Sequence, residues 1–136
     1  MMIKPDGVRR KLEQEILERL GRAGFQVGAK KETSLTKELA EKLYEVHKGK
    51  HFFESLMKYA LSGPAVLLKL EAAGAVPKLR ELIGATDPIK AAPGTIRGDL
   101  RDRNLSPDPT VMENIVHASD SPENAARELE IFFPES

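Results

Sequence analysis

The run Ala65-Val66-Leu67-Leu68-Lys69-Leu70, entered through Gly63-Pro64, is apolar at consecutive rather than alternate positions. Strand side chains point to opposite faces in turn, so a strand made from this run is apolar on both sides and belongs in the middle of a sheet. A chain of 136 residues is long enough for one such sheet and its packed helices, and residues 1–136 read as a single domain.

The flanking patterns supply the other elements. Met1 to Lys4 is a short apolar strand, stopped by Pro5-Asp6-Gly7, which reads as a turn because Pro fixes φ and Gly permits positive φ. Leu12, Ile16, Leu17 and Leu20 recur at helical spacing and predict a helix over residues 9–23. Phe25, Val27 and Ala29 alternate, which predicts a half-buried strand over 25–34. Thr36 is placed to cap a helix with Leu39, Leu43 and Val46 on its buried face. Phe52, Phe53, Leu56, Met57 and Ala60 mark a second helix, and the two form a helical hairpin. Val76, Leu79, Leu82 and Ile83 mark another. Residues 84–113 are rich in Pro, Gly and Asp without sustained periodicity, and a structureless loop of about 30 residues in a small domain is often functional. Asn114 to His117 is a brief strand. Ser121-Pro122-Glu123 then opens a helix with an N-cap, a proline at the first position and an acid in the first turn. The order predicts an α+β fold: a ferredoxin-like βαββαβ antiparallel sheet with helices packed on one face, plus the helical hairpin and a long active-site loop.

Lys and Arg number 21, as do Asp and Glu. No global field draws such a chain to nucleic acid or an anionic membrane, and any anion site must be local. The absence of cysteine removes disulfides and thiolate metal sites and is compatible with a reducing compartment. No apolar run approaches the ~20 residues of a membrane span, and the charged start lacks a signal-peptide core. The expectation is a cytoplasmic protein with no membrane or specific nucleic-acid partner.

His117 stands just ahead of the Ser121 cap, where free N–H groups and the helix dipole favour anions, although a lone histidine at a strand end is more often structural. Gly94-Thr95-Ile96-Arg97-Gly98 sets an arginine between glycines, where backbone could approach a ligand and the guanidinium could fork onto phosphate; an ordinary turn is the plain alternative. Lys4 and Arg80 could add charge or could be solvated surface groups. His47 and His51 have the i, i+4 spacing of a metal pair, but Gly49 intervenes and no acidic motif accompanies them. Neither a P-loop nor a GxGxxG occurs, so any nucleotide chemistry proceeds without them.

Lys4-Pro5-Asp6-Gly7-Val8, Gly94-Thr95-Ile96-Arg97-Gly98-Asp99 and Asn114-Ile115-Val116-His117-Ala118-Ser119-Asp120-Ser121, taken in this order, resemble the nucleoside diphosphate kinase family across almost the whole chain. The resemblance implies that His117 accepts the γ-phosphate from a nucleoside triphosphate, with ATP as donor, on Nδ1 and passes it to a nucleoside diphosphate in a ping-pong cycle. It implies that Glu128 orients the imidazole and Ser119 supports that pair. Arg80, Thr86 and Arg97 match the phosphate clamp, and Tyr44 the tyrosine near the transferred phosphate. Lys4 and Asn114 match the sugar-hydroxyl contacts, with Lys4 also near the phosphates. Phe52 and Val111 match the residues that sandwich the base, with Leu56 lining the same slot. Mg²⁺ is implied as cofactor, held mainly by nucleotide phosphates with no dedicated protein ligands, and a homo-oligomer as the assembly. The chain departs from the family pattern in a stretch Leu100 to Thr110 that looks roughly seven residues longer, an insertion that a surface loop tolerates. The first strand and the tail after Phe132-Phe133-Pro134 are also short. A non-catalytic nucleotide-sensing module of the same fold is the alternative, and a generic ferredoxin-like assembly domain a more distant one.

Overall fold

A computed structural model of the chain describes residues 1–51, 53–87, 90–101 and 114–134. Its sheet has four antiparallel strands in the order β2-β3-β1-β4, from β1 (Met2–Ile3), β2 (Gln26–Ser34), β3 (Pro64–Glu71) and β4 (Val116–His117). This is the arrangement that a βαββαβ chain adopts when each helical crossover returns to the same sheet. The apolar run forms β3, which lies between β2 and β1, and Ala65 through Leu68 are all buried.

Helices cover both faces of the sheet, not one. Ile3, Val66, Leu68 and Val116 pack against α2 (Glu13–Arg22), α5 (Ala75–Ile83) and α6 (Ile96–Leu100) through Ile16, Leu20, Leu79, Ile83 and Ile96. Met2, Ala65 and Leu67 point the other way, onto α3 (Lys37–Leu43), α4 (Phe53–Ala60) and α7 (Pro122–Phe132) through Leu43, Leu56, Met57, Ala60 and Phe132. A strand apolar on both faces requires this double cover, since each exposed Leu or Ile would forgo about 1.5–3 kcal/mol of burial. The helical hairpin α3–α4 and the C-terminal α7 form the second layer.

Three local readings change. Pro5-Asp6-Gly7 is not a turn but the start of a short helix, α1 (Pro5–Arg9), with Lys4 as extended N-cap and Pro5 at the first helical position. Gly7 is required there because a Cβ would meet Ile3 Cγ2 at 2.8 Å and the Ile115 carbonyl at 3.1 Å. The helix expected over 9–23 is broken at Lys11, whose φ is +60°, and α2 begins afresh two residues later. In β2 the register shifts between Val27 and Ala29, so Gly28 bulges and the two residues no longer share a face. Val27 is consequently 43% exposed and β2 is an exposed edge strand, not a half-buried one. Within the expected long loop, Thr95 accepts a bond from the Gly98 N–H and caps α6; residues 88, 89 and 102–113, including most of the longer stretch, lie outside the described residues.

Candidate functional site

Thr36, Thr95 and Ser121 each cap a helix whose residues, or those just beyond its end, reach one cleft of about 250 Å³. The end of β1 brings Lys4, the C-terminal end of α3 brings Leu43 and Tyr44, α5 brings Arg80, α6 brings Arg97, and β4 brings His117. Leu56, Thr86, Asn114 and Glu128 complete the predicted set that lines it. Ser119 does not line this cleft; it sits behind Glu128, to which its side chain hydrogen-bonds. Phe52 and Val111, expected to sandwich a base, lie outside the described residues.

His117 forms a hydrogen bond through Nε2 to Glu128 Oε1. Burial holds the imidazole below its ordinary pKa, against the opposing pull of Glu128. Burial pushes the Glu128 carboxyl up, but hydrogen bonds from His117 and Ser119 outweigh it and keep the group below the usual range. The stable pairing is a neutral imidazole donating Nε2–H to a carboxylate, which leaves the lone pair on Nδ1. The Tyr44 ring meets the His117 ring edge-on at 6.0 Å. Its hydroxyl is buried without a hydrogen-bond partner among the described residues, and burial followed by the Glu128 charge raises its pKa, so it is a neutral phenol.

The cations are restrained too. Lys4 Nζ donates to Asn114 Oδ1 at 2.8 Å, and the Asn114 amide donates to the Thr86 carbonyl at 3.0 Å. Burial, with the neighbouring charge of Arg97, pushes the Lys4 ammonium down to about 7. Arg97 donates to the carbonyls of Asn114, Gly84 and Val116 at 3.1, 3.2 and 2.6 Å. It thus serves as a brace between the α5 end and β4 as well as a charge at the cleft; burial and the nearby Arg80 lower it to about 10. The glycine after it does not make room for a ligand: a Cβ on Gly98 would run into the Ala92 carbonyl oxygen, so that glycine serves the tight turn onto α6.

Residues that the sequence reading passed over also line the cleft: Asp120, Asn124 and Arg127, together with His47, considered there only as half of a metal pair. Asn124 lies four residues before Glu128 on α7, a spacing that could have put it on the same face. Its amide donates to Asp120 Oδ1 at 2.5 Å, and Arg127 donates to the Lys42 and Leu43 carbonyls at 2.7 and 3.2 Å, tying α7 to the end of α3. His47 follows Tyr44 by three residues in a 3₁₀ turn, where i and i+3 eclipse. Gly49, at φ +90°, ends that turn, so His47 and His51 do not share a helical face.

A cleft with a neutral, oriented imidazole and the basic side chains of Lys4, Arg80, Arg97 and Arg127 around it suits capture of a phosphoryl group. Comparison with known proteins points to the same class of chemistry. The family model described as nucleoside diphosphate kinase matches residues 1–136. The chain is similar to the nucleoside diphosphate kinase of Ignicoccus hospitalis, 52% identical over 133 residues that are 98% of this chain and 86% of that protein. It is equally similar to that of Metallosphaera sedula, 52% identical over 98% of this chain and 90% of the relative. Among solved structures, the Halobacterium salinarum nucleoside diphosphate kinase in complex with CDP superposes with a TM-score of 0.89 at 38% identity, covering 98% of this chain and 85% of that one. The Aquifex aeolicus enzyme superposes with a TM-score of 0.87 at 36% identity, covering 97% and 91%.

Proposed function

The chain belongs to the nucleoside diphosphate kinase family and has its activity, moving a terminal phosphate between nucleotides, and from that premise we propose which residues carry it. His117 is the nucleophile. Its Nδ1 lone pair attacks the γ-phosphorus of a nucleoside triphosphate, with ATP as donor; the bond to the β-phosphate oxygen breaks and a diphosphate leaves. A second nucleoside diphosphate then attacks the phosphorus, the N–P bond breaks, and the imidazole returns neutral. The observation that carries this reading is the Nε2 bond to Glu128, which fixes the tautomer and leaves Nδ1 as the nitrogen able to attack. Ser119 steadies Glu128. Arg80, Arg97 and Thr86 hold the phosphates, the Tyr44 hydroxyl donates to the transferring group, and Lys4 and Asn114 bind sugar hydroxyls and phosphate. Leu56 lines the cleft on the side assigned to the base, a role that the family resemblance also gives to Phe52 and Val111, and stacking there favours no single base.

Among the described residues, no three His, Cys, Asp or Glu side chains converge to cage a metal, while Lys4, Arg80 and Arg97 line the cleft. That donor set fits Mg²⁺ carried on the nucleotide phosphates, where it would neutralise charge on the phosphate oxygens. We read the chain as one domain, since both cores share one sheet. A homo-oligomer is supported by the long exposed edge of β2, and a cytoplasmic location by the nucleotide substrates. No helix among the described residues is long and apolar enough to cross a membrane.

Incubation with γ-labelled ATP and Mg²⁺ should give an acid-labile, alkali-stable phosphoryl adduct that a second nucleoside diphosphate discharges. His117→Ala should abolish both while keeping the fold. A nucleotide-sensing module would bind without forming the adduct, and residual transfer within tenfold of the parent would remove His117 from the role.

A further inference from the structure

Among the described residues five polar or charged side chains are buried: Lys4, Asp6, Arg97, Asn114 and Glu128. Four belong to the site as read above, and Asp6 does not. Its carboxyl group faces a backbone irregularity instead. Ile115 has φ +74°, and the Val116 N–H donates to the Asn114 carbonyl at 2.8 Å, which closes a γ-turn with Ile115 at its centre. The positive-φ form of this turn is rare and strained, and a β-branched residue at such a φ is a true outlier. Strain of this kind persists where its surroundings over-determine it.

Those surroundings are visible. Asp6 Oδ2 accepts the Ile115 N–H at 3.1 Å, and the Lys4 N–H donates to the Ile115 carbonyl at 2.7 Å. The other carboxyl oxygen accepts the Tyr59 hydroxyl, while the Asp6 N–H donates to that hydroxyl oxygen at 2.9 Å. Tyr59 therefore holds Asp6 from α4, and Asp6 holds the turn from α1. On either side of Ile115 stand Asn114, bonded to Lys4 Nζ, and, two residues on, His117.

We propose that Asp6, held by Tyr59, is a positioning residue that clamps the strained turn at Ile115 and thereby aims Asn114 and His117 at the nucleotide. Without the clamp the Ile115 N–H is buried and unsatisfied, and the turn relaxes toward negative φ. The residues that flank it then swing relative to Lys4 and Glu128. The inference rests on the reading of Asn114 and His117 as site residues.

The test is a set of double variants, with rates taken per folded molecule by circular dichroism. Asp6→Ala should lower kcat/KM at least tenfold, and Asp6→Asn, which keeps an oxygen acceptor, by less than threefold. Glycine adopts positive φ without strain and alanine does not. The Asp6→Ala loss should therefore persist when combined with Ile115→Ala and shrink below threefold when combined with Ile115→Gly, each compared with its own single variant. A purely structural Asp6 would lower the melting temperature in every background without this pattern. Equal losses in the alanine and glycine backgrounds, or none in the parent, overturn the proposal. If Asp6→Ala does not fold, Tyr59→Phe is read in its place, with a loss of at least threefold expected in the parent and none with Ile115→Gly; equal losses again overturn it. His117→Ala run in parallel separates the cases, because retained transfer there defeats the site reading, whereas full dependence on His117 with an unaffected Asp6→Ala defeats this inference alone.

Discussion

The sheet has two edges, and they are held by opposite means. β2 is nine residues long and pairs with β3 from Gln26 opposite Glu71 to Ser34 opposite Pro64. Its side chains are mostly exposed, and the backbone ladder supplies its order. β4 has two residues, paired to β1 at His117 opposite Met2 and Val116 opposite Ile3. Around it the ladder is replaced by side chains from distant parts of the chain: Arg97 on the Asn114 and Val116 carbonyls, Asp6 on the Ile115 N–H, and Lys4 on the Asn114 side chain. A regular edge tolerates change because no single side chain holds it. An edge held by a few buried polar groups fixes its residues to a geometry that a ladder would not permit, and there each group is costly to remove.

That contrast fails first, if it fails, at Arg97. Arg97→Ala removes a donor from the Gly84, Asn114 and Val116 carbonyls, of which the Asn114 carbonyl keeps the Val116 N–H, and each buried group left unsatisfied costs about 1–3 kcal/mol. Stability should fall by roughly 3 kcal/mol or more in urea unfolding, and turnover on the order of 10 to 100-fold or more, at about 1.4 kcal/mol per tenfold. An unfolding cost under about 1 kcal/mol would mean that the ladder, and not the brace, holds β4.

Tyr44→Phe sharpens the comparison by separating function from stability. The hydroxyl is buried without a partner among the described residues, so its removal should leave the melting temperature unchanged or slightly raised. The rate of phosphoryl transfer should fall on the order of tenfold if the hydroxyl serves the transferring group. A loss of stability above about 1 kcal/mol would show that the hydroxyl is bonded in the free protein.

Lys4 gives a pH signature. Burial, then the Arg97 charge, lowers its ammonium from 10.5 to about 7, with Asp6 opposing. Between these values the unfolded chain binds more protons at this position than the folded one, so its contribution to stability rises with pH across that window and is most unfavourable below it. Lys4→Met should flatten the rise between about pH 7 and 10 in thermal unfolding. At pH 8.5, binding of a nucleoside diphosphate should take up protons as phosphate recharges the lysine. Calorimetry in buffers of different ionisation enthalpy measures that uptake, and its survival in Lys4→Met would assign it elsewhere.

The smallest effect is expected on β2. Lys31→Gln keeps an exposed polar side chain on the ladder and should change stability by less than about 0.5 kcal/mol, with turnover unaffected. A larger shift by denaturant titration would show that side chains order this edge too.

Much of this was legible in advance because it is local. Thr36 and Ser121 cap their helices as their spacing requires, the apolar run forms the central strand, and nine of the twelve site residues that the family resemblance implied line one cleft. Ser119 stands just behind it, while Phe52 and Val111 fall outside the described residues. What went unread depends on partners far away. Pro5-Asp6-Gly7 carries turn residues, and its helix is selected by the packing of Gly7 on Ile3 and Ile115. The Gly28 bulge undoes an alternation that looks intact in the sequence.

Periodicity, caps and motif order are properties of neighbours along the chain, and they sufficed to determine most of the elements and the family. The double cover of the sheet, the brace by Arg97 and the strained turn at Ile115 were decided only in three dimensions. Buried hydrogen bonds join residues up to 110 apart in sequence, and the conformation they impose on Ile115 is one that its own propensities oppose.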